Sequence, residues 1–257
     1  MRRLLEWVCV LCLVLSPGLA SAQSRLDEIV ARGTLRVGLT GDYRPFSVRD
    51  AATGTFSGLD VDMAHTLADA LGVKLEIVPV TWSSLLPDLL ADKYDVGMGG
   101  ISVTLPRQKQ AFFSIPVMRV GKAAIARCAD VAKFGSLAEI DRPGVKVIVN
   151  PGGTNERFDR ANLKQAEIVL FPDNTKIFAE VAAGRADVMI TDAVETKLQQ
   201  KLTPGLCAVH PDQPFDYGEL AYLLPRDIVL KEYVDQWVHL STASGAWQRL
   251  IDTYLGP

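Results

Sequence analysis

"GVKVIVNPGGTNERFDRANL", residues 144–163, runs from a β-branched strand pattern through a Gly-rich break into a polar helix pattern. The apolar residues Val147, Ile148 and Val149 stop at Asn150-Pro151-Gly152-Gly153, where neither a strand nor a helix continues without interruption. Thr154 and Asn155 then open a helix, and unpaired backbone N–H groups at such an opening converge with the helix dipole to make a seat for an anion. Downstream the order repeats. "EIVLFP" (167–172) reads as a strand, "NTKIFAEVAAG" (174–184) as a helix, "ADVMIT" (186–191) as a strand and "AVETKLQQKL" (193–202) as a helix. Strands alternating with helices in this way imply a parallel sheet with crossover helices.

Upstream lies a second unit with the same grammar. "TLRVGLT" (34–40) and "KLEIVPV" (74–80) read as strands flanking the helix "DVDMAHTLADALG" (60–72), which Gly72 stops. "LLPDLLAD" gives a short helix, "YDVGMGG" (94–100) a strand ending in glycines, and "LPRQKQAFF" (105–113) a further helical start. The amphipathic run "YVDQWVHLSTASGAWQRLIDTYL" (233–255) closes the chain against a body already built. The economical architecture is two α/β lobes, residues 23–121 with 218–257 and residues 122–217, the chain crossing near 120 and returning near 215. Ligands in such sheets sit beyond the carboxyl ends of the strands, which here face a shared cleft.

The first 22 residues are set apart from this pattern. Arg2 and Arg3, an apolar stretch from Leu4 to Leu15, a Pro-Gly break and "ASA" before Gln23 match a secretory signal cleaved after Ala22. An exported, periplasmic product follows, without a lipid-anchor cysteine. The remaining cysteines, Cys128 and Cys207, form one disulfide or stay two separate thiols; spacing leaves both open. A net charge of −3 offers no polybasic face, which argues against nucleic acid or an anionic membrane as partner. His65, His210 and His239 lack ligand spacing, and no phosphate loop or Ser-His-Asp arrangement is present, so neither metal nor cofactor is implied.

"TGDYRPFS", "GLDVDMA", "GGISVTLPRQKQAFFSIP" and "TDAVE" resemble the periplasmic solute-binding proteins for polar amino acids from about residue 25 to 250. That resemblance implies the type II two-lobed fold of periplasmic binding proteins, with the ligand cleft between lobes. "DRPGVKVIVNPGGTNERF" and "LCAVHPDQPFDYGELAYLLPRD" resemble an enzymatic offshoot, the cyclohexadienyl dehydratases, which convert prephenate to phenylpyruvate or L-arogenate to L-phenylalanine. The second reading is a non-catalytic binding protein that delivers an amino acid to a transporter.

The resemblance assigns roles residue by residue. Ser102 and Arg107 match the clamp for a ligand carboxylate, Arg107 offering a planar fork unless it is only a solvated helix charge. Gly153, Thr154 and Asn155 match the ligand-binding turn of the second lobe, although Thr154 also suits a plain helix cap. Lys122 adds a positive charge near the crossover or is a surface lysine of the hinge. Tyr43 and Trp82 match aromatic walls of the pocket, with core packing the alternative. Asp192 matches the carboxylate that pairs with a ligand ammonium, and Glu195 the acid that protonates the departing hydroxyl. Asp-Ala-Val-Glu is equally a capping box, with Asp192 as N-cap and Glu195 reaching back. Glu156 is the alternative acid, and self-association through the outer faces is left open.

Overall fold

The structure is a computed structural model that describes residues 23–256; the expected signal lies outside the described residues. Two five-stranded sheets form its centre. The first has the order Lys74–Pro79, Thr34–Leu39, Val96–Gly97, Leu223–Leu224, Phe112–Phe113. The second has the order Glu167–Leu170, Lys146–Val149, Val188–Asp192, Lys122–Arg127, Leu206–Val209.

Each sheet departs from the all-parallel expectation in the same way. The three strands that begin each list pair in parallel, but Leu223–Leu224 and Lys122–Arg127 run against their neighbours. The cause is the exchange of chain between lobes: Lys122–Arg127 enters the second sheet from the first, so it runs opposite to strands that arrive from crossover helices. The two crossing segments lie side by side, Met118–Val120 pairing antiparallel with Gly218–Leu220.

Burial accounts for the strand composition. In Val188–Asp192 every residue is buried, with Val188 and Ile190 packed into a cluster on one face and Met189 into another. A strand covered on both faces needs a continuous apolar run rather than alternation. Leu35, Val37 and Leu39 fill the first lobe, each fully buried and each worth roughly 1.5–3 kcal/mol of transfer free energy.

Three element boundaries differ from the sequence reading. The helix begun at Leu105 ends at Gln108, and Phe112–Phe113 is a strand of the first sheet. The 174–184 segment is a 3-10 turn, Asn174–Lys176, followed by the helix Ile177–Ala182. The closing amphipathic run is two helices, Ile228–Ala243 and Ala246–Leu255, broken where Gly245 takes φ 73°. A left-handed residue cannot continue a right-handed helix. A disulfide joins Cys128 to Cys207, 79 positions apart in the chain, and closes a long loop of the second lobe.

Candidate active site

Asp192 ends the central strand of the second sheet, and Glu195 sits in the first turn of the helix Ala193–Leu202. Antiparallel register sets Lys122 directly opposite Asp192. The two side chains meet, Lys122 Nζ lying 2.7 Å from Asp192 Oδ1 with both groups buried. Asp192 Oδ2 accepts a 2.7 Å hydrogen bond from the Tyr43 hydroxyl of the first lobe. Both oxygens are therefore committed, and no side-chain bond caps the helix. The capping-box alternative is not formed. Lys122 also donates to Asn155 Oδ1 at 2.5 Å and to Thr154 Oγ1 at 3.2 Å, tying the Gly-rich turn to the strand end.

Glu195 is 2 % exposed. Its Oε2 accepts from the Thr191 hydroxyl at 2.6 Å, and Thr191 in turn accepts from Asn155 Nδ2 at 3.0 Å. With Oε2 engaged by Thr191, the Glu195 carboxyl lines the cavity. Burial, with the nearby charges of Asp192 and Asp42, pushes the Glu195 carboxyl up to about 8 against the lowering effects of the Thr191 bond and Lys122. It is protonated at neutral pH.

The cavity beside Glu195 is lined by residues of both lobes. Tyr43 and Trp82 wall it from the first lobe, their rings 6.0 Å apart and edge to face. Trp82 is held by a 3.0 Å bond from Nε1 to Asp42. Gly100 lines the same wall at φ 71°, and a Cβ there would come within 2.6 Å of the Tyr43 and Phe46 rings. Only glycine lets the aromatic rings lie against this turn. Asp60, fully enclosed, accepts from the N–H groups of both Gly99 and Gly100 at 2.8 Å and fixes the turn in place.

The lobes touch where the anion groups meet. Ser102 Oγ lies 3.1 Å from Thr154 Oγ1, and both residues line the cavity. Gly153 is the N-cap of the helix Thr154–Asn162 and brings no capping side chain. Thr154 is inside the helix with its hydroxyl directed to Ser102 and Lys122, so the plain-cap alternative fails as well. Asn150 and Asn174 complete the lining, each with a buried Oδ1 that has no partner; neither was foreseen.

Three expected residues are not in the lining, and one of them, Lys122, reaches it only through Asp192, Asn155 and Thr154. Arg107 is buried but lines a separate groove behind Trp82, where its guanidinium donates to the Ser102 carbonyl at 2.9 Å. Glu156 is outside the cavity. It accepts from the Gly152 N–H at 2.7 Å and pairs with Arg160 at 2.8 Å, and these bonds hold its carboxyl below the ordinary range. An acid held ionised cannot donate a proton at neutral pH, so Glu195 is the better placed of the two.

Residues 35–257 match the family model described as bacterial extracellular solute-binding proteins, family 3. The chain is 52 % identical over 254 residues to the cyclohexadienyl dehydratase of Pseudomonas aeruginosa, spanning 99 % of this chain and 94 % of that protein. Among solved structures it is similar to an ancestral cyclohexadienyl dehydratase, with 52 % identity, a TM-score of 0.58, and 92 % and 98 % of the two chains covered. It is also similar to the ancestral amino acid-binding protein AncCDT-1, a precursor of cyclohexadienyl dehydratase, with 36 % identity, a TM-score of 0.83, and 90 % and 100 % covered. On its fold, its cleft and these matches, the chain belongs to the bacterial extracellular solute-binding proteins of family 3.

Proposed function

We propose that this protein is a cyclohexadienyl dehydratase of the periplasm, acting on prephenate and L-arogenate after loss of residues 1–22. The observation that carries this reading is a buried carboxyl, Glu195, its pKa raised by burial, in a cavity walled by aromatic rings and bordered by hydroxyl groups and the opening of a helix. Prephenate brings two carboxylates and a secondary, doubly allylic ring hydroxyl. Thr154, Ser102 and the opening of the helix at Gly153 take the side-chain carboxylate, and Tyr43 and Trp82 hold the ring.

Glu195 Oε1 gives its proton to the ring hydroxyl, the C–O bond breaks, and water departs. The bond from ring to carboxylate breaks in the same direction, CO2 leaves, and its electron pair completes the aromatic ring. One proton is consumed, and Glu195 becomes a carboxylate facing the Asp192–Lys122 pair, whose ammonium offsets the new charge until solvent returns the proton. Closure of the two lobes, divided at 121/122 and 217/218, excludes water during the step.

The binding-protein reading requires Asp192 to receive a ligand ammonium. Here Lys122 occupies that carboxylate, which favours a keto acid over an amino acid and the lyase over the carrier. The test is incubation of the purified protein with prephenate at neutral pH while phenylpyruvate is followed by absorbance. Saturable turnover is expected; stoichiometric binding of an intact amino acid without turnover would support the carrier.

A further inference from the structure

Asn174 stands beyond the end of the second lobe's edge strand Glu167–Leu170, where it opens the 3-10 turn Asn174–Lys176. It is 4 % exposed and lines the cavity with Glu195. Its amide is oriented from the other lobe, Nδ2 donating to the Asp42 carbonyl at 3.0 Å. A carbonyl can only accept, so the nitrogen faces Asp42 and Oδ1 is the atom left over. Asp42 also holds the Trp82 indole through its carboxylate, so Asn174 and the aromatic wall share one anchor. Among the described residues Asn174 Oδ1 has no hydrogen-bond partner, and the same holds for Asn150 Oδ1.

The other carboxylate and amide oxygens of the lining are engaged. Asp192 gives one oxygen to Lys122 and the other to Tyr43, Asn155 Oδ1 accepts from Lys122, and Glu195 Oε2 accepts from Thr191. The hydroxyls of Ser102 and Thr154 bond each other. A hydrogen-bond donor entering this cavity therefore finds its free amide acceptors at Asn174 and Asn150. At neutral pH both carboxylates of prephenate are ionised, and its ring hydroxyl is its one donor. General-acid catalysis needs that hydroxyl to present a lone pair to Glu195, so its own hydrogen must point elsewhere, onto an acceptor. A buried amide oxygen supplies one where an unmade bond is costly.

We propose that Asn174 Oδ1 accepts the hydrogen of the substrate's ring hydroxyl, turns a lone pair of that oxygen toward Glu195, and holds the water formed when the C–O bond breaks. The step balances with no charge on Asn174. Glu195 supplies one proton, while the hydroxyl oxygen keeps its own hydrogen and the electron pair of the C–O bond. The departing molecule is water with one hydrogen on the amide carbonyl. The Asp42 bond, which fixes the amide atom that is free, distinguishes Asn174 from Asn150. This assignment rests on the dehydratase reading.

The test uses Glu195→Gln protein, in which turnover is suppressed, and two ligands that differ by one group: prephenate and its analogue with hydrogen in place of the ring hydroxyl. Dissociation constants are read by tryptophan fluorescence. Prephenate should bind more tightly than the deoxy analogue, and Asn174→Leu should shrink that preference about fivefold. Asn174→Ala is measured in the same way, so that a leucine too large for the turn does not decide the matter, and circular dichroism reports the fold of each variant. An Asn174 that only ties the lobes through Asp42 would weaken both ligands alike and leave the preference unchanged. That result, or a preference lost in Asn150→Leu and kept in both Asn174 variants, would overturn the proposal. Wild-type protein that forms no phenylpyruvate from prephenate would sink the dehydratase reading and the assignment with it. Turnover by the wild type together with an unchanged preference would overturn the assignment alone.

Discussion

Glu195 shows how much one residue's chemistry depends on neighbours that the sequence does not mark. Its position three residues after Asp192 fits a capping box and a cavity acid equally well. The choice is made by Lys122 and Tyr43, which lie 70 and 149 residues from Asp192 in the chain and occupy both its oxygens. With the cap unmade, Glu195 is free to pair with Thr191 and face the cavity. Glu195→Gln should lower kcat for prephenate by about 10²–10⁴-fold while leaving the fold intact, as circular dichroism will report. Lys122→Met should lower kcat and, by freeing Asp192 for an ammonium, raise the ratio of kcat/KM for L-arogenate over prephenate by about tenfold. An unchanged ratio would show that Asp192 does not read the amine. Thr191, Asn150 and Asn174 left no signal in the sequence, because their roles come from contacts across strands and lobes rather than from spacing.

Elements whose cause is local were legible. The helix Leu59–Leu71 ends at Gly72, which takes φ 68°, as its pattern required. The antiparallel members of each sheet were not legible, because strand direction depends on which lobe the chain arrives from and periodicity carries no direction. Register then has chemical consequences, for it is the antiparallel pairing that sets Lys122 opposite Asp192. At the end of the strand that closes in glycines, Gly100 has its reason in the space taken by the Tyr43 and Phe46 rings. Gly100→Ser should therefore destabilise by roughly 1–3 kcal/mol in urea denaturation and weaken prephenate binding, since the rings must shift. A variant as stable and as tight as wild type would mean that the turn tolerates a side chain.

At the scale of the whole molecule, buried acids govern the response to pH. Burial pushes Glu195 and Asp159 up to about 8 and Asp60 up to about 6. The folded chain keeps protons that the unfolded chain has released above about pH 4, so stability falls as pH rises from about 4 to about 8. Carboxylates held below the ordinary range, such as Asp141, give the opposite slope, but only at more acid pH. The melting temperature of the unliganded protein should drop by roughly 5 °C or more between pH 5 and pH 8.5, and Asp159→Asn should flatten that slope. Replacing Cys128 and Cys207 by alanine should cost about 2–4 kcal/mol, the loop they close being long. The dehydratase account rests on one proton held on Glu195 at working pH, and the pH dependence of kcat/KM for prephenate tests it most directly. We expect a plateau at neutral pH and a tenfold loss per unit above about 8, with that limb absent in Glu195→Gln. A rate that stays level to pH 10, or a glutamine variant that follows the wild-type profile, would contradict it.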